Sequence, residues 1–196
     1  MLDKVKAKIL EYKLNKIIQN LETKGRIEDA LKKYRELLKQ AEHLNEEQKA
    51  KIKTLIHTRI ANIYMLKNNL AEARLHALQA LNLTKKTNEP YIINMSKLIM
   101  ASILYRKKKY KETEEFIDQI LRSKPGTHVE HEIAIWARII RARILIDNKK
   151  CSEANQEFNK IQADLASVGQ LKYILDELSI LRKELNEICG RNNMTE

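Results

Sequence analysis

Apolar residues recur along most of this chain at the three- and four-residue spacing that gathers them on one side of a helix. In RIANIYMLKNNLAEARLHALQALNL, residues 59–83, two such stripes are joined by the polar turn KNN, and alanines stand where two helices would touch. The arrangement repeats. Ala61, Tyr64, Leu70, Glu72 and Ala73 align with Ala101, Leu104, Tyr110, Glu112 and Thr113, and again with Ala142, Leu145, Cys151, Glu153 and Ala154. A weaker copy upstream has Leu21, Ile27, Asp29 and Ala30, with Ile18 in the small-residue position. The anchors at 30, 73, 113 and 154 are separated by 43, 40 and 41 residues. Each copy reads as a helical hairpin. The turns are TKGR, KNN, KKK and DNKK, and an apolar residue followed by Asp or Glu opens each second helix, where the helix dipole favours negative charge. The small residues at 61 and 73 let two backbones approach.

Start and stop signals place the hairpins at about 3–22 with 26–43, 47–67 with 70–86, 90–107 with 110–123, and 128–147 with 151–166. Asn45 to Gln48 reads as a cap, TNEP separates the second and third hairpins, and Thr127 with Glu130 has capping-box spacing. A ninth helix is expected over about 170–189, and residues 190–196 as a disordered tail. In that helix Leu171, Ile174, Leu178, Leu181, Leu185 and Ile188 fall at alternating spacings of three and four, an a/d seam. The seam is read as a cap on the last hairpin, with a homodimer seam as the alternative.

This pattern resembles the tetratricopeptide repeat. The resemblance rests on Ala61, Tyr64, Leu70, Ala73, Ala77 and Ala80, on Ala30 with Tyr34, on Ala154 with Phe158, and on Pro125 after the third hairpin; it covers about residues 11–165. Two features depart from the family: His57 stands where an aromatic residue is usual, and the period is near 40 residues rather than about 34. The resemblance implies an all-α, right-handed solenoid of four hairpins plus a capping helix, forming one domain over 1–189. In such arrays the first helix of each hairpin lines a concave groove. By alignment the lining is Thr58, Asn62 and Met65, then Leu98, Ser102, Tyr105 and Arg106, then Trp136, Ile139 and Arg143. Arg138, Arg141 and Arg143 lie at different angles on their helix, so not all can face that groove. The family also includes modules that clamp the C-terminal carboxylates of chaperones. Those need a basic residue one turn before the groove Asn. Thr58 precedes Asn62 and Leu98 precedes Ser102, so that activity is not expected.

Composition supports helix: 4 Gly and 2 Pro argue against a turn-rich β fold, and 32% of residues are charged. The formal net charge is +11, and residues 51–150 carry 20 basic and 9 acidic side chains, so the excess lies in the middle. That points to an acidic protein or peptide partner, less to a nucleic acid, with a plain solvated surface as the alternative. RKKKYK, with Arg106, Lys107, Lys108, Lys109 and Lys111, marks a candidate basic patch in the turn of the third hairpin.

Two cysteines without metal-type spacing suggest no disulfide framework and a reducing cytoplasmic or nuclear compartment, with Cys151 in a core slot. No secretory leader is evident, and the longest apolar run contains Lys97 and is too short to span a bilayer, so no membrane partner is expected. No Gly-rich phosphate loop or nucleophile elbow is present. His128 and His131 are read as turn residues at a helix start, and His57 and His76 as packing or surface residues. No enzyme activity, metal or cofactor is expected. The expected function is a protein-binding scaffold or adaptor, a subunit of a larger complex. Nucleic-acid binding or a signalling-peptide-binding regulator are the alternatives.

Overall fold

A computed structural model of the chain describes residues 2–169 and 171–190; Gln170 and residues 191–196, which hold most of the expected tail, lie outside the described residues. Every regular element among the described residues is helical. In order these are α1 (Leu2–Ile17), a π-helical turn (Ile18–Glu22), α2 (Ile27–Ala41), α3 (Glu46–Leu66), α4 (Leu70–Thr84), α5 (Pro90–Arg106), α6 (Tyr110–Arg122), α7 (His128–Asp147), α8 (Cys151–Val168) and α9 (Lys172–Cys189). The protein is all-α. Its internal contacts divide it into two compact units, Met1–Ile103 and Leu104–Glu196, with the boundary inside α5.

Local chemistry accounts for the starts of α3, α4, α5 and α7. The Asn45 side chain accepts the Gln48 N–H at 3.0 Å and opens α3. Asn69 accepts the Glu72 N–H at 3.2 Å and opens α4. Thr127 and Glu130 form the reciprocal capping box at the start of α7. Pro90 takes the first position of α5, where its missing N–H costs nothing.

Four turns share one backbone solution. Gly25, Asn68, Lys108 and Lys149 are left-handed, with φ of 72°, 58°, 56° and 57°. The next residue's N–H reaches back five positions in each case: Arg26 to Leu21 O, Asn69 to Tyr64 O, Lys109 to Leu104 O and Lys150 to Leu145 O, all at 2.8–3.0 Å. This is the Schellman closure of the preceding helix. Five residues after each left-handed position stand Ala30, Ala73, Thr113 and Ala154, all almost fully buried. A larger side chain there would force its helix away from its neighbours.

Each unit is built around one helix covered on most sides. In the first unit α3 contacts α1, α2 and α4. Its buried residues lie on two opposite faces, Ile52, Ile56, Ile60 and Ile63 on one and Ala50, Thr54, Thr58, Ala61 and Met65 on the other. Leu10, Leu14, Leu31, Tyr34 and Leu37 of α1 and α2 close the same core. In the second unit α7 contacts α6, α8 and α9, and is likewise buried from Ile133 to Ile146.

The cysteines correct the sequence reading. Cys151 and Cys189 are joined in a disulfide, with Cα atoms 5.6 Å apart. Cys151 is half-buried rather than a core residue. It opens α8 and Cys189 ends α9; the two helices have 18 residues each, so the outgoing and returning ends meet. The pairing removes the cysteine argument for a reducing compartment. No helix among the described residues is long and apolar enough to cross a membrane.

The left-handed turns give a direct test. A residue with a Cβ costs about 1 kcal/mol in that conformation. Lys149→Gly is expected to stabilise the protein by about 0.5–1 kcal/mol in urea unfolding, and Lys149→Val to destabilise it.

Candidate functional site

The residues expected to line a groove fall in both units. In the first, Thr58 is buried at 3% exposure, and its Oγ1 lies 3.4 Å from Ser96 Oγ of α5. Met65 is buried as well. Neither is open to a ligand, because α3 is covered on the face that the alignment assigned to the groove. Asn62, Leu98 and Ser102 are half-buried, and Ser102 Oγ donates to the Leu98 carbonyl at 2.9 Å, its own preceding turn.

In the second unit Ile139 is fully buried in the core between α7, α8 and α9, which corrects its assignment to a groove. Trp136 is half-buried and packs against the same core. Tyr105 turns towards Asp147: burial, and then that carboxylate, raise its pKa. Tyr110 donates to Asp147 Oδ2 at 2.8 Å, and the two Tyr ring centroids are 6.0 Å apart.

Arg143 is half-buried and engaged within the chain. The three α7 arginines fan out to three different helices. Arg138 binds Glu157 at 2.8 Å and Asp164 at 2.7 Å on α8. Arg141 binds Glu114 at 2.9 Å and Asp118 at 2.5 Å on α6. Arg143 binds Glu177 at 2.7 Å and Glu184 at 3.2 Å on α9. Burial by itself works against the charge on Arg138 and Arg143, but the carboxylates outweigh it and both are held more firmly protonated than an ordinary Arg. These cations tie the unit together.

The basic turn is open. Arg106, Lys107, Lys108, Lys109 and Lys111 are all exposed. Lys109 is paired with Glu112 at 2.6 Å; Lys107, Lys108 and Lys111 have no ion pair among the described residues.

The α9 seam is largely covered from within the chain. Ile174, Leu178, Leu181 and Leu185 are buried in the core they share with Ala154, Phe158 and Ile161 of α8. Leu171 is half-buried against that core and Ile188 is exposed. Arg182 lies 4.8 Å from the centroid of the Phe158 ring and adds a cation–π contact between α9 and α8.

Two polar clusters escaped the sequence reading. Glu22, at the end of the π-helical turn, accepts from both the Tyr34 hydroxyl and the Arg59 guanidinium, linking α2 and α3. On the same helix Lys51 bridges Glu11 at 2.9 Å and Glu89 at 2.8 Å, and Lys53 pairs with Glu42. The second cluster is His57 with His76, whose Nδ1 atoms are 2.9 Å apart; one donates and the other accepts. The Tyr64 ring stacks on His76 at 5.8 Å. Burial, then the neighbouring imidazole and Lys53, push His57 down to about 4, and burial lowers His76. His spacings across two helices leave no signal in the sequence that could have found this pair.

Comparison with protein-family models, with curated proteins and with solved structures returns no match.

The Arg138–Glu157 pair and the His57–His76 pair each give a test. Arg138→Ala leaves Glu157, 3% exposed, with only the outlying Lys160, and is expected to cost about 3 kcal/mol in urea unfolding. Adding Glu157→Gln should recover most of that loss; a simple sum of the two single effects would show that the pair is not coupled. The His pair sets a pH dependence. Its folded pKa values lie below the ordinary 6.5, so its full contribution is present above pH 6.5. As pH falls, the unfolded chain takes up protons that the folded pair refuses, and stability is lost. The thermal midpoint should fall between pH 7 and 5, above the range where carboxylates titrate, and His57→Gln should flatten that slope.

Proposed function

We propose that this chain is a non-catalytic protein-interaction scaffold whose hairpins are divergent, right-handed tetratricopeptide-like repeats. The observation that carries the reading is the recurrence of one hairpin joint. The left-handed residue, the back-bonded cap and the buried small residue five positions on occur four times at the sequence period. A chain that spends its sequence on repeated joints builds surface rather than a single reactive centre.

The partner is a protein segment with acidic side chains. Much of the positive charge on α3 and α7 is spent on internal carboxylates. The exposed Lys107, Lys108 and Lys111 at the α5–α6 turn have no ion pair among the described residues, and they are charge available to steer such a segment. Of the residues first assigned to a groove, Asn62, Leu98, Ser102, Tyr105, Arg106 and Trp136 retain accessible surface and remain candidates for contact.

Affinity capture from native cell extract tests this. The wild-type chain is run beside Lys107→Glu/Lys108→Glu/Lys111→Glu and beside Asn62→Ala/Ser102→Ala, with helicity compared by circular dichroism. A defined protein recovered by the wild type and lost from the charge variant supports the reading. Equal recovery by all three sinks this choice of surface. Material that disappears on nuclease treatment replaces the scaffold with a nucleic-acid binder.

A further inference from the structure

Helix α1 carries two apolar stripes. Ala7, Leu10, Leu14 and Ile17 are buried against α2 and α3. Leu2, Val5, Ile9 and Tyr12 are exposed, at 68%, 51%, 49% and 62%. Large apolar side chains exposed singly are ordinary, but four in register on one helix are not. At 3.6 residues per turn these four lie within an arc of about 80° and extend along about 15 Å of helix. Their spacings of three, four and three are those of a heptad seam, with Leu2 and Ile9 at a and Val5 and Tyr12 at d.

The positions beside the seam are basic. In the same register Lys6 and Lys13 occupy e and Lys8 occupies g; Asn15 is the next g residue. All are exposed. Lys13 donates to Gln40 at 2.9 Å, a neutral partner, and Lys6 and Lys8 have no ion pair among the described residues. Lys16, next in the a register, sits 5.4 Å from the centroid of the Tyr12 ring.

We propose that the outer face of α1 docks an amphipathic helix of a partner protein, one with an apolar a/d stripe and acidic residues at its e and g positions. The charges choose among occupants. A second copy of this chain would set Lys6, Lys8 and Lys13 against like charges, which is the arrangement that disfavours self-pairing. A helix lying on a bilayer presents a broad apolar face, whereas this stripe is as narrow as a coiled-coil seam. A helix with Glu or Asp flanks meets both the apolar stripe and the lysines beside it. Because α1 is already folded on its own unit, it loses little ordering entropy on binding. The site is distinct from the repeat joints and does not rest on the repeat reading.

The probe is a pair of fluorescently labelled synthetic helical peptides with Leu at every a and d. One has Glu at every e and g, the other Lys. Binding to the full chain is followed by anisotropy, beside sedimentation with phosphatidylserine vesicles. The Glu peptide is expected to bind, the Lys peptide to bind at least about tenfold more weakly, and added salt to narrow the difference. Ile9→Asp should weaken the Glu peptide by about tenfold or more. Lys6→Glu/Lys8→Glu/Lys13→Glu should invert the preference between the two peptides. These side chains are exposed, so both variants should keep the wild-type thermal midpoint, and the charge variant stands as the test should Ile9→Asp lower it. Equal binding of both peptides, binding of neither, an unchanged preference in the charge variant, or retention by the anionic vesicles alone would overturn the proposal.

Discussion

A helix covered on most sides has nowhere to send a charge except into a neighbour. That constraint organises both units. Lys51, Lys53 and Arg59 leave α3 at different angles, and each ends on carboxylates of the surrounding segments. Arg138, Arg141 and Arg143 do the same from α7 towards α8, α6 and α9. Burying a charge is unfavourable unless it is paired, so each such cation also fixes the rotation of its helix against the partner. Among the described residues no buried side-chain polar atom is left without a hydrogen-bond partner, as this arrangement requires.

This changes what the basic composition means. An excess of Lys and Arg in the middle of the chain suggests a surface waiting for an anion. In the structure a good part of it is internal wiring, because the carboxylates that balance α3 and α7 belong to other helices. Glu11, Glu22 and Glu42 come from residues before 51, and Glu157, Asp164, Glu177 and Glu184 from residues after 150. Counting charge along a segment separates partners that the fold brings together. Exposure has to be known before a local excess can be assigned to an external ligand.

The same distinction separates what the sequence made legible from what it hid. Helix starts were legible because their signals are local: the Asn45 cap and the Thr127–Glu130 box lie within four residues. The all-α class followed from apolar spacing, a property of neighbouring turns. The α9 stripe was also legible as a seam, since four of its six residues share one buried face. Long-range pairings were not. Cys151 and Cys189 stand 38 residues apart, and nothing short of knowing that α8 and α9 return on each other joins them. His57 and His76 meet because two helices of one hairpin fix their angles. Thr58, Met65 and Ile139, assigned to the groove by alignment, are buried for a related reason. An alignment transfers a face of a helix, but burial depends on how many neighbours surround that helix.

Helix α1 is the reverse case. Its inner stripe has the ordinary pattern of a packed helix, and its outer stripe is visible only once the inner one is known to be buried. A single apolar pattern wide enough for both reads from sequence as one indistinct hydrophobic helix. With Leu10 and Leu14 buried and Val5 and Ile9 exposed, the two stripes separate, and the lysines fall on the borders of the outer one. Cations beside an exposed seam are chemically unlike those on α3 and α7: they are solvated, and Lys6, Lys8 and Lys13 make no ion pair among the described residues. Charge that folding has already matched fixes the protein's own geometry. Charge that folding leaves unmatched, next to apolar surface that folding leaves uncovered, is where the sequence still specifies a second molecule.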